Sequence, residues 1–247
     1  MNTSIGKNKN LEGKKVIVLG GSSGLGFATA QAAATSGAHV VIVSSNRDRI
    51  NQALSQLPGE HEGHTIDLRK EEDIRRFFEQ TGSFDHLVYT AGESLHVNDI
   101  AQTEIDKARE FFNVRYWGAF AAVKYSAPHI NAGGSICLTS GLAGTRPWKG
   151  WSVVSSVCSA MEGLTRALAV ELAPVRVNCV VSGLVKTNLW NDLPETDRAA
   201  MYDNVGRSLP VGRVGEADDL ARAFLYLMEQ SFSTGGCLVV DGGGVLV

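Results

Sequence analysis

Lys15-Val16-Ile17-Val18-Leu19 runs directly into Gly20-Gly21-Ser22-Ser23-Gly24-Leu25-Gly26. Of the first five residues, four are apolar and three are β-branched, the pattern of a short strand buried on both faces. The glycine cluster follows at once. Residues 27–36 then carry the alanines of a helix that stops at Gly37, a C-cap position. A helix N-terminus presents unpaired N–H groups and the positive end of its dipole, and glycine lets a phosphate come close to the backbone. In a strand–turn–helix context this points to a dinucleotide site built from Gly20, Ser22, Ser23, Gly24, Leu25 and Gly26.

The alternation continues to the end of the chain. Strands are expected at 40–43, 65–67, 86–89, 135–139, 175–181 and 238–240. Between them come helices at 47–57, 71–79, 99–129, 158–172 and 218–228. The helix at 71–79 puts Ile74, Phe77 and Phe78 on one face, and Pro58-Gly59 ends the one before it. Continuous apolar strands alternating with helices predict an α/β fold, a single doubly wound Rossmann-type parallel sheet with helices on both faces. No linker or repeat interrupts the 247 residues, so one domain spans 1–247, with 1–12 expected to be a flexible N-terminal segment.

A formal net charge of −3 gives no electrostatic footprint for nucleic acid or an anionic membrane, and no apolar run approaches about 18 residues. The polar N-terminus lacks a signal-peptide pattern, and a cytoplasmic location is expected. The four cysteines form no C-x-x-C pair. Cys137, Cys179 and Cys237 read as small buried hydrophobes. His61, His64 and Asp67 lack a second cluster to complete a coordination shell, so no metal is expected.

The glycine pattern G-x-x-x-G-x-G resembles that of the short-chain dehydrogenase/reductase family, and the resemblance covers nearly the whole chain. Ile66-Asp67-Leu68 resembles the adenine-contacting segment, and Ala91-Gly92 the end of the family's N-N-A-G turn. EGLTRALAVELAPVRVN at 162–178 is close to the family pattern. Residues 181–187, with Gly183, Val185 and Thr187, resemble the segment whose backbone meets the nicotinamide carboxamide. Gly212-Arg213-Val214-Gly215 and Val240-Asp241-Gly242-Gly243 complete the match. The resemblance implies an oxidoreductase with a nicotinamide cofactor and a small-molecule substrate. It also implies a homodimer or homotetramer formed through the helices at 99–129 and 155–172.

Cofactor choice is read at the end of the second strand. A carboxylate there would bond the ribose hydroxyls of NAD and repel a 2′-phosphate. Ser44, Ser45, Asn46 and Arg47 instead offer donors and a positive charge, with no carboxylate until Asp48, which favours NADP(H) over NAD(H). The alternative is an ordinary helix start capped by Ser45 or Asn46.

The family's catalytic Asn-Ser-Tyr-Lys tetrad aligns with Arg115, Gly141, Val154 and Cys158. No tyrosine lies between Tyr125 and Tyr202, so no shift of alignment restores Y-x-x-x-K. Asn113, two positions from Arg115 on a helix, would face about 200° away. Arg115 and Ser140, one residue before the aligned serine, are the remaining catalytic candidates. Three readings follow: an NADP(H)-dependent oxidoreductase with rearranged groups acting on an already electrophilic carbonyl, imine or enone; a nucleotide-binding protein without turnover; or non-redox chemistry recruiting Arg115 or a Cys158 thiol made acidic by it. Glu93, His96 and nearby Lys149 fall in segments that border the family's substrate cleft and are possible acids there, while Trp148, Trp151, Leu189, Trp190, Met201 and Tyr202 suggest a bulky apolar ligand. Their alternative is packing in the core or at a subunit contact, or, for Glu93, His96 and nearby Lys149, simple solvation.

Overall fold

The computed structural model describes residues 10–95 and 97–247. Strand β1 (Lys15–Leu19) pairs in parallel with β2 (His39–Ser44) on one side and β4 (Phe84–Tyr89) on the other. β3 (Glu62–Thr65) extends the first side. β5 (Ile130–Gly141), β6 (Arg176–Ser182) and β9 (Cys237–Val240) extend the second, giving the order β3-β2-β1-β4-β5-β6-β9. Two short strands, β7 (Val185–Lys186) and β8 (Gly215–Glu216), pair with each other outside this sheet. The chain winds from β1 toward one edge and then restarts on the other side of β1. That reversal opens a crevice at the carboxyl ends of β1 and β4.

The pleat distributes the apolar residues of β1 to two cores. Val16 and Val18 pack with Ala30 and Ala33 of α1 (Gly24–Thr35), Ile50 of α2 (Arg47–Leu54) and Phe224 of α8 (Ala217–Glu229). Ile17 and Leu19 pack with Phe78 of α3 (Glu71–Thr81), Ala122 of α5 (Ala119–Ser126) and Leu164 of α6 (Ser152–Glu171). The alanines give α1 a small surface, so it lies close against α8. By length and composition α6 is apolar enough to cross a membrane; its Val154, Val157, Met161, Leu164 and Leu168 are buried in the core over the sheet.

Several boundaries depart from the sequence expectation. β3 lies at 62–65 rather than 65–67. As an edge strand it pairs only with β2 and carries polar residues, while the apolar Ile66 and Leu68 turn down into the core after it. The region 99–129 is not one helix. α4 (Ile105–Phe112) and α5 are separated by a π-helical turn, Asn113–Gly118. α6 begins at Ser152, six residues before the expected start, and carries the Val154 and Cys158 positions on its first turns. Of the 1–12 segment expected to be flexible, residues 1–9 lie outside the described residues, and at 10–12 the chain is anchored: Leu11 is 2% exposed and its N–H donates to the Ser36 carbonyl.

Buried polar groups at the amino end of the sheet are matched. Arg176 donates to the Leu227 and Met228 carbonyls at 2.7 and 2.8 Å, satisfying the last turn of α8. The other end of α8 is capped by Asp219, which accepts from the Glu216 N–H and from both Arg213 Nη atoms. Arg213 holds that carboxyl down to about 2. His86 is 4% exposed, with Nδ1 2.9 Å from the Ser135 hydroxyl. Burial pushes the imidazole down to about 4 from its ordinary 6.5. A group kept neutral by the fold takes up a proton more readily when unfolded. His86 therefore contributes stability that is complete above pH 6.5 and is lost as pH falls toward 4. Denaturant titration across that window should show a loss of up to about 3 kcal/mol, and His86→Gln should flatten that part of the fall.

Candidate functional site

The crevice at the carboxyl ends of β1 and β4 is a cleft of about 880 Å³. One end is formed by the turn after β1. Gly20 has a φ of +87°, and a Cβ there would lie 2.7 Å from the Ala91 nitrogen. A Cβ at Gly26 would lie 2.2 Å from the Gly20 carbonyl oxygen and 2.4 Å from the Thr90 hydroxyl. Neither clash is with the tip of a flexible side chain, so no larger residue fits. α1 starts at this turn with no side-chain cap on its first N–H groups and no acidic residue in its first turn. Ser22, Ser23, Gly24, Leu25 and Gly26 all line the cleft there. Uncapped N–H groups at a positive helix end, with glycines keeping the backbone open, fit the diphosphate of a dinucleotide.

At the end of β2, the Ser22 and Ser44 hydroxyls are 2.8 Å apart, and Ser44 and Ser45 line the cleft. Asn46 and Arg47 do not line it. The Asn46 side chain caps α2 by accepting from the Arg49 N–H at 2.9 Å, and Arg47 donates to the Gly63 carbonyl. The cation of α2 that does line the cleft is Arg49, which sequence reasoning missed. The cap fixed at Asn46 puts residue 49 in the first turn of α2, and that spacing was the available signal. Asp67 and Leu68 also line the cleft. Asp67 accepts from Arg69 Nε and Nη2 at 2.8 and 2.9 Å, which holds its carboxyl below the usual range.

Arg115, Gly141, Val154 and Cys158 lie along the other end of the same cleft. The π-helical turn directs Arg115 onto the Gly92 backbone, where a Cβ would come 2.6 Å from the guanidinium carbon. The guanidinium lies 4.8 Å from the Phe111 ring centroid, and Nη2 donates to the Glu93 carbonyl. Asn113 lies instead on the outer face beside Trp117. Ser140 reaches the cleft, but its hydroxyl is engaged at 3.1 Å with the Cys158 carbonyl and the Glu162 carboxylate, so it does not stand free to hold a substrate. The Cys158 sulfur is 3.3 Å from where a Gly141 Cβ would be. Burial pushes this thiol up despite the nearby Arg115, the opposite of the shift expected for an activated nucleophile.

Among the expected pocket residues, Glu93, Trp148, Trp151, Leu189, Trp190 and Met201 line the cleft. Trp148 and Trp151 meet edge to face with ring centroids 5.1 Å apart. Tyr202, on α7 (Glu195–Ser208), lies outside the lining and hydrogen-bonds the Thr187 backbone. His96 lies outside the described residues. Lys149 is 87% exposed and ion-paired with Asp99. Ala91, Gly92, Gly183 and Thr187 line the cleft; Val185 does not, since its side chain is in the core and its carbonyl accepts from Trp190 Nε1 at 3.0 Å. Among the described residues no group of three or more His, Cys, Asp or Glu is arranged to hold a metal ion. His61 is taken up by the Val40 N–H and the Pro58 carbonyl.

The sequence profile of the family described as Enoyl-(Acyl carrier protein) reductase matches residues 20–244. The chain belongs to the short-chain dehydrogenase/reductase family of oxidoreductases. Its relatives include the short-chain dehydrogenase/reductase fsr5 of Gibberella fujikuroi, 31% identical over 98% of this chain and 99% of that protein. Among solved structures, the MalC reductase/Diels-Alderase of Malbranchea aurantiaca superposes with a TM-score of 0.90 at 29% identity, covering 98% of this chain and all of that one. A small-chain dehydrogenase in complex with NADPH superposes at 0.85 with 35% identity, covering 95% of this chain and 99% of that one.

For this short-chain dehydrogenase/reductase the tightest geometric requirement is at Gly26. Gly26→Ala should lower stability by about 3 kcal/mol and weaken nucleotide binding in the same variant, measured by denaturant midpoint and calorimetric titration. Unchanged values for both would mean that the turn is not held as described.

Proposed function

We propose that this protein is an NADP(H)-dependent reductase that works without the family's Tyr–Lys pair, on a bulky, already electrophilic substrate such as an iminium ion or an enone. The observation that carries the reading is the make-up of one continuous cleft. Its dinucleotide end keeps every glycine constraint, while Val154 and Cys158 stand where the resemblance places Tyr and Lys. Valine exchanges no proton, and the half-buried Cys158 thiol is pushed up by desolvation, away from the thiolate. A positioned general acid contributes about 10²–10⁴ in rate, so ordinary carbonyl–alcohol interconversion by the family route should be slow.

The turn at 20–26 would hold the diphosphate on the α1 N–H groups, and Asp67–Leu68 would border the adenine. Gly183 and Thr187 would border the nicotinamide end. When bound, the cofactor supplies a hydride. What this chain's residues supply is position and exclusion of water: Trp148, Trp151, Leu189, Trp190 and Met201 form an apolar, aromatic wall suited to a large ligand. Ser44, Ser45 and Arg49 at the ribose end, with no carboxylate among them, support NADP(H) over NAD(H). The similar structure in complex with NADPH supports the same choice. A second, non-redox reaction in the same cleft has one observation in its favour: the Malbranchea neighbour is described as both a reductase and a Diels-Alderase. Exposed Ile105, Trp117 and Phe120 on α4, the π turn and α5 support assembly of copies through that face.

Calorimetric titration should show NADPH bound at least tenfold more tightly than NADH, and Arg49→Ala should remove most of that difference. With NADPH saturating, an N-alkyl iminium salt bearing an aromatic group should drive its oxidation. If neither nucleotide binds near a millimolar, the reductase reading fails.

A further inference from the structure

Among the described residues, two buried side-chain polar atoms have no hydrogen-bond partner: Glu93 Oε2 and Arg115 Nε. Both belong to the same corner of the cleft, and burying such groups unpaired costs free energy, so their presence calls for an explanation such as a catalytic role. The two side chains are neighbours without being a salt bridge. Arg115 donates to the main-chain carbonyl of Glu93, with its guanidinium pressed on Gly92 between them. The Glu93 carboxyl is thus left beside a cation but not bonded to it, in a wall it shares with Leu95, Trp148 and Trp151.

Resting on the reductase reading above, we propose that Glu93 is the proton donor of this cleft, held in place by Arg115, and that the substrates it serves are α,β-unsaturated carbonyl compounds. An enone that accepts hydride at its β-carbon loses the C=C bond and becomes an enolate. The Glu93 O–H then breaks and a C–H bond forms at the α-carbon, giving the saturated ketone. The carboxylate left behind faces the Arg115 cation and recovers its proton from water, so charge balances at every stage. Arg115 is a positioning residue here: its bond to the Glu93 carbonyl fixes the backbone that carries the acid.

The electrostatics agree with this role. Glu93 is faced by Arg115 from the π turn, by Arg69 from the segment after β3, and by the Tyr89 hydroxyl from β4, which donates to the Val114 carbonyl. Cys158 of α6 is also within electrostatic reach of Arg115. Desolvation outweighs the backbone N–H groups of Glu93 and Val114 and the two arginines, all of which favour the carboxylate, and pushes the carboxyl above its ordinary range, toward the protonated, donating form.

Two measurements separate this proposal from the reductase reading. The first needs no turnover. In protein carrying carbon-13 at the glutamate carboxyls, one resonance should titrate clearly above the ordinary value of about 4.3, and it should be missing in Glu93→Gln. The second compares NADPH oxidation by two acceptors, a cyclic enone, which needs a proton after hydride addition, and an N-alkyl iminium salt, which does not. The enone-to-iminium rate ratio should fall by about 10²–10⁴ in Glu93→Gln, recover in part in Glu93→Asp, and fall in the wild type as pH rises through the carboxyl titration. Should Glu93→Gln fail to fold, Glu93→Asp and the wild-type profile carry the test. An ordinary Glu93 titration, or a ratio that does not respond to residue 93 or to pH, overturns the proposal and leaves the reductase reading standing. Failure of both acceptors overturns the reductase reading itself, whatever the carboxyl titration shows.

Discussion

A methyl group at Gly26 would sit 2.2 Å from the Gly20 carbonyl oxygen and 2.4 Å from the Thr90 hydroxyl, and one at Gly20 would sit 2.7 Å from the Ala91 nitrogen. That crowding ties together three things that are far apart in the chain: the end of β1, the first turn of α1 and the end of β4. Because these backbones touch, the α1 N–H groups open onto the crevice where the sheet changes direction. The buried β1 carries the load beneath them, with one set of side chains in each core. Loosening the turn would move the diphosphate end of the cleft and, through Ala91 and Gly92, the wall that carries Arg115.

The far end of the cleft obeys a different constraint, the cost of burying charge. The guanidinium of Arg115 is held in a desolvated place against the Gly92 backbone, bonded to the Glu93 carbonyl and beside the Phe111 ring. Replacing a buried charge by an apolar residue is often neutral or stabilising, so packing alone gives no reason to keep one. The π turn that delivers it is itself a departure from regular helix, of the kind that marks functional positions. By contrast, the α6 positions opposite are filled by Val154 and Cys158, groups that ask nothing of the solvent and offer little acid–base chemistry at neutral pH. At this end of the cleft the unpartnered polar atoms, Glu93 Oε2 and Arg115 Nε, are gathered on one wall.

Much of the architecture could be read from residue patterns. β1, β2, β4, β6 and the amphipathic α3 lie close to where their apolar residues predict, because burial on two faces or one leaves a period in the chain. β3 did not, since an edge strand of Glu, Gly, His and Thr has no such period and forms because β2 offers it hydrogen bonds. The π turn also left no mark, because the helical segments on either side of residues 113–118 read as one continuous helix whether or not an extra residue is wound between them. At the site, the glycines were legible as glycines. Arg49 was hidden behind Arg47, because which arginine faces the cleft depends on where Asn46 starts α2.

The sequence by itself determined the alternation of strand and helix, the turn that no residue but glycine can make, and the absence of tyrosine between 125 and 202. These follow from hydrophobic period, backbone sterics and composition, all of which act locally. Tertiary structure alone decided that Ser140 spends its hydroxyl on α6, that desolvation pushes the Cys158 thiol up, away from the thiolate, and that Glu93 and Arg115 share a desolvated corner. Hydrogen-bond partners and the local dielectric are set by segments dozens of residues away, and they come into being only when the sheet brings those segments together.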